Sequence, residues 1–281
     1  MTDLLIHSMS EFSDLILAGL TLAGARHIVE IGAEHGGMSR RLAAHVGEAG
    51  GRLTCIDPAP SPTFSAWAAG RPEVTHLARQ SLEILDDLTG IDAWLIDGDH
   101  NWYTVFHELA AIERASRRDG TPLLAFLHDV GWPAGRRDQY YDPERIPAAF
   151  RRPHDWDGGA TLGEPRLVPG RGFRGMGAFA FAVEEGGPRN GVRTAVDDFL
   201  AGALAEGRDY AFASIPAVFG LGVVFALDAP WSRALADLLL PFHDNALLRR
   251  LEENRLRNYL RVIALQDEAA ARREAVGLAA S

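Results

Sequence analysis

A single cysteine, Cys55 in the run "RLTCID", is all that the 281-residue chain contains. No intramolecular disulfide can staple the fold, and a buried core thiol in a reducing, cytoplasmic compartment suits that scarcity. Basic residues are also in short supply, with 28 Lys and Arg against 38 Asp and Glu for a formal charge of -10. That balance argues against bulk nucleic-acid binding, which needs a basic footprint to displace counterions, and favours a small-molecule partner. The N-terminus "MTDLLIHSMSEFSDL" lacks a basic segment ahead of its apolar residues, so a cleaved secretory signal is not expected. Sustained apolar runs are missing too. The uncharged stretch "YAFASIPAVFGLGVVFAL" from Tyr210 to Leu227 is long enough to be weighed as a membrane span. Pro216, Gly220 and Gly222 interrupt it and β-branched or aromatic residues fill it, so it reads as two buried strands joined by a tight turn, with no membrane partner. There are no internal repeats and no low-complexity tract beyond an Ala-rich tail.

What is present is enough for a sizeable core, with 47% hydrophobic and 23% charged residues. From residue 25, short apolar runs alternate with helical patterns: "RHIVEIG", "GMSRRLAAHV", "RLTCID", "TFSAWAA", "EVTHLA", "SLEILDDL", "IDAWLID", "TVFHELAAIERAS" and "PLLAFLHDV". That alternation predicts an α/β fold, a doubly wound, mostly parallel sheet with helices on both faces. Ligands of such sheets bind beyond the carboxyl ends of the strands, and these ends carry Glu30, Asp57, Asp97, His128 and Asp129. Residues 1–24 read as an N-terminal helical segment, 25–230 as the main domain with an irregular insert over 131–175, and 231–281 as a C-terminal helical appendage. In the appendage Leu256, Tyr259, Leu260 and Ile263 form one stripe, which predicts either a homodimer or higher homo-oligomer, or a helix folded back on its own domain.

"VEIGAEHGGMSRRLA" sets a glycine-bearing turn between a strand and a helix, where backbone can approach a ligand and the helix N-terminus faces it. Tight strand–helix packing alone would also explain these glycines. Twenty residues after Gly37 comes Asp57 at the end of the next strand, a spacing that suits a carboxylate accepting from two ribose hydroxyls. Gly32, Gly36 and Gly37 do not spell G-x-G-x-x-G, which disfavours a nicotinamide cofactor, and a leading Glu30 suits a cofactor with an amino group. "VEIGAEHGG", "CIDP" and "LIDGDH" together resemble the class I S-adenosylmethionine-dependent methyltransferases. The resemblance covers roughly residues 25–130 and implies a Rossmann-like seven-stranded sheet. It further implies that Glu30, Gly32 and Gly36 surround the methionine part of S-adenosylmethionine, that Asp57 holds the ribose, that Gln80 and Ser81 lie near the adenine, and that Asp97 borders the cofactor.

Methyl transfer to a hydroxyl needs an aligned acceptor and removal of its proton, which a divalent cation and a histidine can assist. "DGDH" at the end of one strand and "HD" at the end of the next offer both. The arrangement resembles metal-dependent O-methyltransferases of the catechol type and, more closely, the macrocin and mycinamicin sugar O-methyltransferases. That resemblance implies Asp97 as metal ligand, His100 as general base, and His128 with Asp129 completing the metal site, with Asp99 in reserve. Mg²⁺ is the expected ion, and a histidine ligand makes Mn²⁺ or Fe²⁺ compatible. The bland reading of His100 is a residue stabilising its loop, and His107 reads as helix surface. The insert holds eight arginines against six acids. Trp132, Tyr140, Tyr141 and Trp156 are candidates to stack on an acceptor ring, and Arg136 and Arg137 to meet an anionic group on it, with solvated loop charge as the alternative. The expected function is O-methylation of a sugar or phenolic natural product; the alternatives are metal-free N- or carboxyl-methylation, or a non-catalytic cofactor-binding module.

Overall fold

The computed structural model describes residues 5–279, so residues 1–4 of the N-terminal segment and 280–281 of the C-terminal appendage lie outside the described residues. Helix α1 (Ser13–Ala23) follows a turn of 3-10 helix over Met9–Phe12 that Ser8 caps through its side chain. Then come β1 (His27–Ile31), α2 (Gly37–Ala49), β2 (Arg52–Ile56), α3 (Pro62–Ala69), β3 (Val74–Leu77), α4 (Ser81–Ile84), β4 (Ala93–Ile96), α5 (Trp102–Asp119) and β5 (Leu124–Leu127). Each apolar run read from the sequence is thus the strand or helix its period predicts. In α2, Met38, Leu42 and Val46 recur every four residues and are buried, while Gly50 ends the helix in the left-handed conformation. Asn101 caps α5 by accepting the Thr104 N–H at 2.9 Å.

The segment read as irregular has its own backbone pairing. It carries β6 (Gln139–Tyr140), β7 (His154–Asp155), β8 (Gly158–Thr161) and β9 (Glu164–Pro169), and β10 (Ala180–Ala182) follows it. β10 lies between β6 and β7 in a small antiparallel sheet, and β8 pairs with β9 as a hairpin. Strands this short leave no periodicity for sequence reading to find.

Helix α6 (Val192–Ala205) leads to β11 (Tyr210–Ile215) and β12 (Leu221–Ala226), the antiparallel pair expected in the uncharged stretch. The main sheet has seven strands in the order β11-β12-β5-β4-β1-β2-β3, parallel except that β12 runs antiparallel to both neighbours. Alternate side chains feed two cores. Ile28, Leu53 and Leu95 pack with residues of α1, α2 and α3, and Val29, Trp94 and Ile96 pack with residues of α5 and α6.

Helices α7 (Ser232–Leu239) and α8 (Ala246–Ala279) close the chain. Leu256 of α8 is buried against Leu5 and Phe219, with Trp132, Leu162 and Tyr259 packed around them. This part of the apolar stripe therefore finds its cover within the chain. Among the described residues no helix is long and apolar enough to cross a membrane.

Candidate active site

Ile31, Ile96 and Leu127 pair across β1, β4 and β5, so the residues just beyond them emerge together at one edge of the sheet. The backbone keeps that register for one more step, since the Asp97 N–H donates to Ile31 O and the His128 N–H to Ile96 O. Gly32 makes the close approach possible. It has φ of 86°, and a Cβ there would overlap the Asp97 carbonyl oxygen. Gly36, with φ of 75°, opens α2 where a Cβ would press on the Phe64 ring and the Arg40 guanidinium.

Four side chains converge at this edge. His100 Nε2 lies 3.0 Å from Asp129 Oδ2 and 3.4 Å from Asp97 Oδ1. His128 Nδ1 lies 3.2 Å from each of those same oxygens, while its Nε2–H donates to the Val218 carbonyl at 2.9 Å. Donor atoms of Asp97, His100 and Asp129 all fall within 4.8 Å of one another, a set of hard oxygens and one imidazole suited to a divalent cation. The group that could hold an ion thus includes His100, which the sequence sets apart as the expected base. Asp99, held in reserve by that reading, accepts from the Thr104 hydroxyl instead.

The charges are strongly interdependent. Burial alone would lower the His100 ring, but the Asp129 and Asp97 carboxylates outweigh it and push the ring up to about 10. His128 is raised well above its ordinary value by the same two acids against the same burial. Burial opposes ionisation of Asp97 and Asp129, and the facing imidazoles overcome it to hold both below the usual carboxylate range. Without another cation the cluster therefore keeps protons on its imidazoles to balance its carboxylates.

The residues expected around a cofactor are more fully engaged than spacing alone reveals. Glu30 is buried beneath the turn, accepting from Ser39 Oγ at 2.5 Å and from Cys55 Sγ at 3.3 Å. Burial raises its carboxyl to about 7. Asp57 accepts the N–H groups of Ala33, Glu34 and Ala59 at 2.8 to 2.9 Å, three of the roughly four bonds a carboxylate can take. Ser81 donates to the fully buried Glu108 at 2.5 Å, and burial pushes Glu108 up to about 8. With its amide oxygen turned toward Arg145, Gln80 accepts from that guanidinium.

On the acceptor side, two expectations need correction. Arg137 is fully buried, donating to the carbonyls of Ala182, Val183 and Pro165, and Tyr140 is buried with its hydroxyl donating to Asp138. Both belong to the interior of the insert, because its short strands need side-chain donors to satisfy the carbonyls that ladder bonds leave over. Arg136 is paired with Asp197 on α6 at 2.6 Å. Trp132 packs on Phe173, beside the core under α8. Tyr141, by contrast, lies beside the cluster. It is half exposed, its ring centroid is 6.1 Å from that of His100 and 6.3 Å from that of Phe179, and burial of its phenol with the charges of Asp129 and Asp97 raises its pKa. Gln139, next to it, donates its N–H to the His100 carbonyl at 3.0 Å and so docks the insert on the "DGDH" loop.

Comparison with known proteins bears on this geometry. The family model described as a methyltransferase domain matches residues 29–130. No curated protein matches the chain. Among solved structures, the SAH-bound methyltransferase PaMTH1 of Podospora anserina is similar at 13% identity and a TM-score of 0.46, covering 77% of this chain and 78% of that one. The O-methyltransferase TomG of Streptomyces achromogenes, in complex with SAM, is 18% identical with a TM-score of 0.44, covering 80% and 83%. The O-methyltransferase of Bacillus cereus, in complex with SAH, is 17% identical with a TM-score of 0.44, covering 80% and 84%. The matched segment runs from β1 to the residue after the His128–Asp129 pair. Residues 29–130 thus resemble a methyltransferase domain, and they span β1 to β5 of the seven-stranded sheet.

Proposed function

We propose that the chain transfers a methyl group from S-adenosylmethionine to a hydroxyl of a small metabolite, assisted by a divalent cation. The observation that carries this reading is the convergence of Asp97, Asp129, His100 and His128 directly beside the Gly32 turn. The turn fits the cofactor in one respect that a packing role does not need: Asp57, after accepting three backbone N–H groups, keeps capacity for a further donor such as a ribose hydroxyl.

Held at the Gly32 turn and Asp57, S-adenosylmethionine would supply an electrophilic methyl on a sulfonium sulfur, and its transfer to the acceptor oxygen would leave the C–S bonding electrons on sulfur. A cation held by Asp97 and Asp129 would act as a Lewis acid on the acceptor hydroxyl. The protein's own residues do the rest. Gly32 lets the turn close on Asp97, bringing the two halves of the site within one crevice. His100, on the sharp turn after β4, would take the hydroxyl proton once a cation replaces the proton that balances Asp97 and Asp129. Tyr141 offers a ring at the mouth against which a sugar or phenolic acceptor can lie.

The deciding experiment is a methylation assay on a panel of glycosides and phenols, with and without Mg²⁺ or Mn²⁺, beside calorimetry of S-adenosylmethionine binding. Ion-dependent O-methylation is the expected result. Turnover indifferent to exhaustive chelation would remove the cation, and a folded protein with no affinity for the cofactor would remove the whole reading.

A further inference from the structure

The turn between β11 and β12 is strained where it meets the site. Val218 and Phe219 have φ of 45° and 63°, and neither is a glycine. A β-branched or bulky residue enters that region only when its surroundings hold it there. The holding contacts can be read one by one. The Val218 carbonyl accepts the His128 Nε2–H at 2.9 Å. The Phe219 carbonyl accepts the Gly131 N–H, and the Phe219 N–H donates to Glu252 Oε1 at 2.9 Å.

Glu252 belongs to α8, outside the seven-stranded fold. Its carboxylate is mostly buried and held by Arg255, which donates to both oxygens at 2.6 Å. Arg255 also lies over the Phe219 ring at 4.8 Å and donates to the Ile6 carbonyl at 2.6 Å. The helix therefore grips the turn by its backbone and its side chain together.

The consequence reaches the four-residue cluster. Because Val218 accepts the Nε2–H, the other ring nitrogen of His128 is the one aimed at Asp97 and Asp129. Bonds of this kind, made by the far nitrogen of an imidazole, set its ring orientation. A carbonyl can do that only while its own peptide is fixed.

We propose that Glu252 is a positioning residue for the site: by accepting the Phe219 N–H it holds the strained turn whose Val218 carbonyl orients His128 toward Asp97 and Asp129. The proposal rests on the cation-assisted methyl transfer argued above.

Three variants test it. Glu252→Ala removes the acceptor, Glu252→Gln keeps an oxygen there without the charge, and Asp267→Asn weakens a different ion pair of α8, that with Arg174, without touching the Phe219 N–H bond. Two measurements are made on each folded protein: the His128 ring signals in long-range ¹H–¹⁵N spectra, and Mn²⁺ affinity by calorimetry. In the wild type, Glu252→Gln and Asp267→Asn, His128 should report a protonated Nε2. In Glu252→Ala the Nε2–H resonance held by the Val218 carbonyl should be lost to exchange with solvent and Mn²⁺ affinity should fall about ten- to a hundredfold, as for other residues that orient a ligand. An Ala variant with both properties intact overturns the proposal. So does a Gln variant as defective as the Ala variant, since the Arg255 pair and not the Phe219 bond would then be responsible. If the wild type binds no Mn²⁺ the cation drops out of the functional reading, and the His128 spectra alone still decide whether Glu252 positions the ring.

Discussion

His100 Nε2 stands 3.0 Å from Asp129 Oδ2, and Asp129 reaches that position with a left-handed backbone of φ 59°. Asparagine tolerates that conformation, so Asp129→Asn removes the charge and leaves the turn in place. Losing a charged partner of this kind weakens an interaction by about 1.5 to 3 kcal/mol, which predicts about a ten- to hundredfold loss of divalent-ion affinity. The His100 ring, now pushed up to about 10, should titrate closer to its ordinary 6.5. Histidine NMR across a pH series reads this directly, and an unchanged titration would assign the shift to something other than Asp129.

Glu30 gives a stability prediction with a definite sign. Burial raises its carboxyl from 4.5 to about 7 in the folded protein. The unfolded chain therefore releases this proton first as pH rises. The stabilisation is complete below about pH 4.5 and is lost as pH passes through about 7, on the order of 3 kcal/mol in all. Glu30→Gln keeps an oxygen to accept from Ser39 and does not titrate. Urea denaturation of wild type relative to the variant should weaken steadily across that window. Parallel curves would mean that Glu30 is ionised at low pH and better solvated than its surroundings imply.

How far the sequence could be read follows from the kind of signal each feature leaves. The sheet was legible because β1 to β5 are apolar runs spaced by helical periods, and the cluster was legible because "DGDH" and "HD" end adjacent parallel strands. The insert was not, since two-residue strands have no period and an arginine destined for carbonyl oxygens looks the same as one destined for a ligand. Arg137 and Tyr140 are buried, while Tyr141, one position past the end of β6, is exposed. Glu252 left no signal. It sits in a helix full of charges, and only the fold brings it to a turn more than thirty positions earlier.

Gly32→Ala should damage the site and the fold together. Any Cβ would meet the Asp97 carbonyl, and a φ of 86° is a region that side chains strongly disfavour. Backbone strain of this sort is worth about 1 to 3 kcal/mol before the clash is counted. The variant should lose at least that much stability in urea and also lose cofactor affinity. Gly47, with open space around it, is the comparison: Gly47→Ala in the last turn of α2 should stabilise slightly. If Gly32→Ala were as well tolerated, the close contact between the β1 turn and Asp97 would not be the reason for the glycine.

Tyr141 and Arg137 separate the acceptor from the scaffold. Tyr141 is half exposed beside His100, so Tyr141→Ala should leave the melting temperature nearly unchanged and raise the acceptor KM. An aromatic contact is worth about 0.5 to 1.5 kcal/mol, which corresponds to a two- to about tenfold rise. Tyr141→Phe keeps the ring and should behave as wild type. Arg137→Ala should do the reverse, because three carbonyls lose a buried donor and the small sheet of the insert loosens. Its melting temperature should drop well below that of Tyr141→Ala. A normal KM in Tyr141→Ala would move the acceptor away from this ring, and a normal melting temperature in Arg137→Ala would return that arginine to the list of ligand contacts.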